Sequence, residues 1–179
     1  MAEKTIVLGG GCFWCTEAVF QRLKGVSEVV SGFAGGDSET EPNYNSIHFD
    51  DKGHAEVIHV TYDSDVIGLE TLFEVFFNTH DPTTNHQPGT ADAGDEYRSI
   101  ILCAEDELET ANAAKEEAQK NWDKPIITEI KVFEKFFPAD DSHQDFYNRN
   151  SSRVPYCQVV IDPKLEKFYK KYAELVKDD

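Results

Sequence analysis

The amino-acid sequence predicts an α/β (α+β) fold, with one mixed β-sheet and helices packed on it, in a single domain over residues 1–179. Three observations carry this prediction. Strand-like and helix-like segments interleave along the chain. A length of 179 residues suits one full hydrophobic core. Contents of 40% hydrophobic and 28% charged residues are typical of globular proteins, and no repeat or linker divides the chain.

The first half of the chain predicts three strands and a helix. Residues 4–8 form a short apolar run, and residues 26–34 and 54–63 have the composition and alternation of strands. Between the first two strands, residues 12–24 have the apolar spacing of a helix. Gly25 follows as a C-terminal stop.

The second half predicts two more strands and four helices. Apolar and β-branched runs predict strands at 97–104 and 126–136. Apolar spacing predicts a helix over 69–80, and an acidic alanine-rich stretch predicts another over 105–121. Two further helices are expected near the end of the chain, over 141–149 and 164–176.

Two polar, turn-rich segments, 35–53 and 81–96, predict long surface loops. Loops of that length in a compact domain are often functional.

The net charge of −17 excludes two classes of partner. Nucleic-acid binding needs basic patches, and an anionic membrane surface attracts basic segments. No run of 18 apolar residues predicts a membrane span, and the first residues lack the apolar stretch of a signal peptide. We therefore expect a cytoplasmic protein whose charge serves solubility.

Cysteine usage indicates redox or metal chemistry. A disulfide-stapled secreted domain would be shorter and richer in cysteine than this chain, which has four. A Cys-x-x-Cys pair, Cys12 and Cys15, indicates redox or metal chemistry in a cytosolic chain. A structural zinc site takes four ligands, and there is no second such pair, so we expect no metal and no cofactor.

The stretch "GGGCFWC" places Cys12 where a strand and a glycine turn lead into a helix. The helix dipole and the unpaired backbone N–H groups at a helix N-terminus favour an anion, so a thiol there loses its proton more easily. Cys12 is therefore a candidate nucleophile. Cys15 lies one turn later. A metal site is the weakest of its three interpretations, whereas disulfide formation with Cys12 and simple packing both remain open.

Phe13 and Trp14 separate the two cysteines. Consecutive helix residues point about 100° apart, so both rings do not easily face one core. We expect at least one ring beside the thiol, as a wall for a small apolar group such as a methyl.

Six stretches in order, "GCFWC", "GFAGG", "GHAEV", "HDPTT", "DEYRS" and "HQDFY", resemble the signature stretches of the peptide methionine sulfoxide reductase A family. The resemblance runs from about residue 6 to residue 157. It implies a two-layer, ferredoxin-like plait with extra loops. It also implies a thiol-dependent enzyme that reduces the S epimer of methionine sulfoxide, free or within oxidised proteins, as a repair reaction.

The resemblance also assigns roles. Cys12 is the nucleophile, and Phe13 and Trp14 hold the substrate methyl group. Glu56 is the acid beside the sulfoxide oxygen.

The remaining roles implied by the resemblance concern polar contacts. Tyr44 and Tyr97 donate hydrogen bonds to the sulfoxide oxygen. Asp92 anchors the substrate or a water molecule, and His143 has a supporting role in substrate binding.

The chemistry explains these residue types. Attack of a thiolate on the sulfoxide sulfur becomes feasible if the oxygen is protonated as the bond forms. A carboxyl keeps its proton at neutral pH if burial raises its pKa. Methionine leaves, the cysteine becomes a sulfenic acid, and a second thiol condenses with it. The resemblance implies thioredoxin or another thiol reductant as the partner that restores the enzyme.

The thiol that meets the sulfenic acid stays open among Cys15, Cys157 and an outside thiol. We interpret Cys103 as a core residue, and His54 and His80 as structural. We expect a monomer.

Two other functions compete with the reductase. A thioredoxin-like dithiol oxidoreductase also carries Cys-x-x-Cys at a helix start, but its tryptophan usually precedes the pair. A metal-binding or interaction module would use Cys12, Cys15 and histidines.

Overall fold

A β-α-β-β-α-β unit forms the centre of the molecule in the computed structural model, which describes residues 2–36, 53–85 and 94–177. Its elements are, in order, β1 Glu3–Gly9, α1 Phe13–Phe20, β2 Val26–Ala34, β3 Ala55–Asp63, α2 Leu69–Asn78 and β4 Ile100–Cys103. These strands lie in the order β4-β1-β3-β2, and every neighbouring pair is antiparallel. This is the order of a ferredoxin-like plait, so the predicted fold class is confirmed.

The rest of the described chain extends the plait at both edges. Its elements are α3 Leu108–Gln119, β5 Glu129–Val132, β6 Phe136–Pro138, α4 Phe146–Asn150, a π-helical turn at Cys157–Ile161 and α5 Asp162–Tyr172. Strand β5 pairs parallel to β4, and β6 pairs antiparallel to β2. The result is a six-stranded mixed sheet, β5-β4-β1-β3-β2-β6.

The strands separate two apolar faces, because successive side chains point to opposite sides. Ile6 and Leu8 of β1 join the large core beneath the helices, together with Ile58 of β3. Val7 and Val57 point the other way, into a smaller buried cluster.

The predicted strand over 126–136 is wrong, because the segment divides into β5 and β6 at opposite edges of the sheet. In a flat sheet five strand spacings would place them about 24 Å apart. The link from Val132 to Phe136 reaches at most about 14 Å. The sheet is therefore strongly curled, and Phe136 lies over the His59 ring on the face without helices, with ring centroids 5.3 Å apart.

Other predicted boundaries shift. Helix α1 ends at Phe20, before the predicted limit of 24, while Gly25 has φ 93° as a turn residue. Tyr97 lies in a 3₁₀ turn, Asp95–Tyr97, rather than at the start of a strand. The predicted helix over 141–149 is interrupted at Asp145, whose φ is 53°.

Most of the two predicted loops lies outside the described residues. Within the described part of the chain, no helix combines the length and apolar character needed to cross a membrane.

Candidate active site

A glycine turn connects β1 to α1. A side chain at Gly10 would place its Cβ 2.9 Å from the buried His80 ring. Gly11 has φ 95°, a conformation that favours glycine. These two glycines let the chain turn sharply over His80, and the turn delivers Cys12 to the start of the helix.

Cys12 occupies the N-cap position of α1, with extended backbone (φ −63°, ψ 130°). Its carbonyl accepts the backbone N–H of Cys15 at 3.1 Å. The Cys12 side chain is 5% exposed. The predicted position of this thiol at a helix N-terminus is thus present in the structure, where the helix dipole favours a thiolate.

Glu56 caps the same helix from strand β3. Its side chain points to the helix side of the sheet, as does that of Ile58 two residues on. Its Oε1 accepts the backbone N–H of Phe13 at 3.1 Å, although 43 residues separate the two. Glu56 is 1% exposed, so a buried carboxyl group lies beside the residue that follows Cys12.

The two rings between the cysteines have different surroundings. Phe13 is fully buried, with its ring centroid 5.6 Å from that of Phe33. Trp14 is half-buried and stacks on Phe146 at 3.7 Å with an interplanar angle of 5°. The ring of Tyr156 meets the indole edge-on at 5.7 Å. One ring is therefore core and the other forms part of an aromatic cluster.

His143 touches both rings. Its imidazole centroid lies 5.7 Å from that of Phe13 and 5.8 Å from that of Trp14. Burial lowers the pKa of His143, so its ring is neutral at pH 7. The structure thus brings His143 to the aromatic cluster.

Glu17, a buried glutamate in α1, holds the segment that carries Phe146, the ring stacked on Trp14. Glu17 is 1% exposed. One carboxylate oxygen accepts the Ser31 hydroxyl at 3.1 Å, and the other accepts the backbone N–H of Phe146 at 3.0 Å. Burial raises the pKa of Glu17.

Gln144 reinforces the same attachment. Its side-chain amide bonds the backbone N–H and carbonyl of Ser31, both at 2.8 Å, and the Ala139 carbonyl at 3.0 Å. The segment that carries His143 and Phe146 is therefore hydrogen-bonded to β2 through Gln144 and to α1 through Glu17.

Two further thiols lie near the start of α1. The Cys15 Sγ is 3.4 Å from the Tyr156 hydroxyl. Cys157 is fully buried, and burial raises its pKa, with smaller contributions from Asp162 and from Cys15. Cys15 and Cys157 are therefore close enough to influence each other's ionisation.

Cys103 lies apart from these thiols in strand β4. It is 2% exposed within the main core, and burial raises its pKa to about 11. The structure agrees with its interpretation as a core residue.

Tyr97 is half-buried against the main core, in the turn that packs on β3. The next residue, Arg98, donates to the Gly53 carbonyl at 2.7 Å and to the Gly35 carbonyl at 3.5 Å. Arg98 therefore ties together the ends of β2 and β3. Tyr44 and Asp92 lie outside the described residues.

The two histidines expected to be structural are buried. The His54 ring packs edge-on against Phe137, and its Nδ1 accepts the backbone N–H of Gly36 at 3.3 Å. His80 bonds the Phe76 carbonyl at 2.6 Å and the Ser99 hydroxyl at 2.7 Å. Burial lowers the pKa of His80 to about 3. In the described part of the chain, no group of three or more His, Cys, Asp or Glu is placed to hold a metal ion.

Sequence reasoning did not identify Glu17, Phe146 or Tyr156 as residues of this region. Glu17 had a signal, since it is the one charge in the apolar stretch "FWCTEAVF". Phe146 had a weaker signal, since it lies in the stretch "HQDFY". Tyr156 had none, because nothing local shows which ring a distant segment will meet.

Comparisons with known proteins identify relatives over nearly the whole chain. The family model described as peptide methionine sulfoxide reductase matches residues 4–176. Peptide methionine sulfoxide reductase MsrA of Saccharolobus solfataricus is 46% identical over 171 residues, which cover 95% of each chain.

Solved structures agree with these sequence relatives. The reduced form of Mxr1 from Saccharomyces cerevisiae is 32% identical, with a TM-score of 0.77 over 86% of this chain and 88% of that one. Mxr1 in complex with Trx2 superposes with a TM-score of 0.56 at 28% identity, over 81% of this chain and 85% of that one.

Proposed function

The chain belongs to the peptide methionine sulfoxide reductase family, and from that premise we propose that Cys12 is the nucleophile that attacks the sulfoxide sulfur. Its position at the N-terminus of α1 supports this role, because the helix dipole stabilises a thiolate. Its low exposure shields the reacting sulfur from water.

Glu56 is the acid in this proposal, and the observation that carries it is the bond between Glu56 Oε1 and the Phe13 backbone N–H. That bond fixes the carboxyl group next to the nucleophile. Burial disfavours a carboxylate, so the group can hold a proton on Oε2. As the Cys12 sulfur bonds the substrate sulfur, this proton passes to the sulfoxide oxygen. The S–O bond of the substrate then breaks as the hydroxyl group passes to the Cys12 sulfur. The new S–S bond breaks with its electron pair staying on the methionine sulfur, so methionine leaves and Cys12 becomes a sulfenic acid.

Substrate recognition follows from the aromatic cluster. Trp14 and Phe13 supply the apolar wall for the methyl group, and the neutral His143 ring supports both. Tyr97, together with Tyr44 and Asp92, is proposed to bind the sulfoxide oxygen and to anchor the substrate. A methyl wall on one side and hydrogen-bond donors on the other select one epimer, which we propose is the S epimer, in free or protein-bound methionine sulfoxide.

Cys15 is the thiol proposed to resolve the sulfenic acid. It lies one helical turn from Cys12, within the reach of a disulfide. Condensation of Cys15 with the Cys12 sulfenic acid releases water and forms a disulfide. We propose that Cys157, whose ionisation Cys15 influences, then takes over that disulfide in a second exchange.

A dithiol partner of the thioredoxin type then reduces the disulfide. The complex of the related Mxr1 with Trx2 supports this choice of partner. The cycle needs a reducing compartment such as the cytoplasm, where such partners keep thiols reduced. Repair of oxidised proteins is the resulting function.

Single-turnover reduction of the two separated epimers of a methionine sulfoxide peptide tests these roles. We expect the wild-type protein to reduce only the S epimer and Cys12→Ser to reduce neither. Glu56→Gln is expected to slow the step by about 100-fold or more, the usual range for a lost general acid. Glu28→Gln removes an exposed carboxylate of β2 and serves as the matched control. A Glu56→Gln variant with the wild-type rate would overturn the role of Glu56.

Mass spectrometry after one turnover tests the resolving thiol. Cys15→Ser should stop at the sulfenic acid, whereas Cys157→Ser should still form the disulfide between Cys12 and Cys15. The opposite pattern would assign resolution to Cys157, and a disulfide in both variants would show that either thiol can resolve. A wild-type protein that stops at the sulfenic acid would assign resolution to an outside thiol.

A further inference from the structure

A cavity lies between the end of α2, the π-helical turn and α5, apart from the site around Cys12. Its volume is about 530 Å³, within the range of small-molecule sites. Among the described residues, none of those proposed for sulfoxide reduction lines it. The reductase function therefore does not explain this cavity.

The charge of the cavity is opposite to that of the whole protein. Lys164, Lys167 and Lys171 line it from successive turns of α5, whereas Asp81 is the carboxylate among its lining residues. The Asp81 Oδ1 accepts the backbone N–H of Thr83 at 2.9 Å and is thus engaged within its own loop. A positive cavity stands out in a chain with 17 basic and 34 acidic residues.

The three lysines have no counterion in the described part of the chain. The ion pairs between described residues involve Arg98, Lys120, Lys131 and Arg149 instead. Lys164 is near enough to oppose protonation of the buried His80 at the cavity floor. The three ammonium groups therefore line the cavity without an ion-pair partner among the described residues.

The walls between the lysines are apolar. Trp122, Phe168 and Tyr172 line the cavity, and Val159, also in the lining, is 70% exposed. Apolar walls with a few charged groups are typical of small-molecule sites.

We propose that this cavity binds a small organic anion, in which one carboxylate or phosphate group is attached to a flat apolar body. The anionic group contacts the Lys164 and Lys167 ammonium groups. The apolar body packs between the rings of Trp122 and Phe168.

Calorimetric titration of the full chain with indole-3-acetate tests this site, with uncharged indole-3-acetamide as the matched ligand. We expect one indole-3-acetate per chain and binding of the amide at least about tenfold weaker, since charge-assisted bonds to two ammonium groups are lost. The Lys164→Gln/Lys167→Gln variant should lose about tenfold or more in affinity. Lys170→Gln, on the same helix but outside the cavity lining, should bind as the wild type does.

Two controls keep the test independent of the reductase site. Trp14→Leu removes a ring of the aromatic cluster beside Cys12 and should leave indole-3-acetate binding unchanged. Phenyl phosphate distinguishes the two anionic groups, and tighter binding of either anion supports the proposal. Equal affinity for acid and amide, or binding that survives the double lysine change and disappears in Trp14→Leu, would overturn it. The proposal is also refuted if no saturable binding of either anion occurs at millimolar concentration.

Discussion

Replacing Glu17 tests how the aromatic wall of the site is held in place. Glu17→Ala removes both acceptors, so the Ser31 hydroxyl and the Phe146 N–H lose their buried partner. Glu17→Gln keeps one acceptor, and its amide N–H₂ donates to the Ser31 oxygen. Phe146 should therefore lose its fixed position against Trp14 in the alanine variant and keep it in the glutamine variant.

The magnitudes follow from these contacts. Each buried group left unsatisfied costs about 1–3 kcal/mol, so the loss of two partners in Glu17→Ala should lower the free energy of unfolding by about 2–6 kcal/mol. Glu17→Gln should lower it by about 1 kcal/mol, because only the Ser31 O–H loses its acceptor. A displaced Phe146 no longer supports Trp14, the ring that we propose buries the substrate methyl group. The loss of that contact is worth about 1–2 kcal/mol, or about a 5- to 30-fold rise in KM.

The assay combines urea unfolding with steady-state reduction of a methionine sulfoxide peptide, at a temperature where all variants are folded. Glu17→Ala should raise KM while kcat changes less than threefold, because Cys12 and Glu56 keep their positions. Ser31→Ala, which removes a single bond, is the matched control and should keep the wild-type KM. Our reasoning fails if folded Glu17→Ala has an unchanged KM, or if Glu17→Gln raises KM as much as alanine does.

Three further predictions concern stability. Gly11→Ala should destabilise the fold by about 1–2 kcal/mol in urea unfolding, because φ 95° is strained for alanine; an unchanged midpoint would contradict this. His80 has an ordinary pKa of 6.5 and a folded pKa of about 3, so its contribution is complete above pH 6.5 and is lost as pH falls towards 3. The free energy of unfolding should fall by up to about 1.4 kcal/mol per pH unit in that window, and an equally steep fall in His80→Gln would refute the assignment. Leu8→Ala, at a fully buried core position, should cost about 3–5 kcal/mol in thermal or urea unfolding, and a loss below 1 kcal/mol would show that the core collapses around the change.

The sequence by itself determined the elements whose signals are local. Apolar periodicity predicts the β-α-β-β-α-β order, because each strand or helix is decided by spacing within about ten residues. The run "GGGCFWC" likewise places Cys12 at a helix start, since glycine turns and helix ends are local features. The net charge excluded basic-patch partners, and the length of the chain indicated one hydrophobic core.

Tertiary structure decided everything that depends on distant contacts. No local pattern shows that Glu56 caps the helix of Phe13 across 43 residues, or that Glu17 fastens Phe146 across 129. The predicted strand over 126–136 divides because the sheet curls until both of its edges lie within reach of one short segment. Curling is a property of the whole sheet, and burial of a carboxyl is a property of everything packed around it. The types of the reacting groups can therefore be read from the sequence, whereas their environment exists only once the chain has folded.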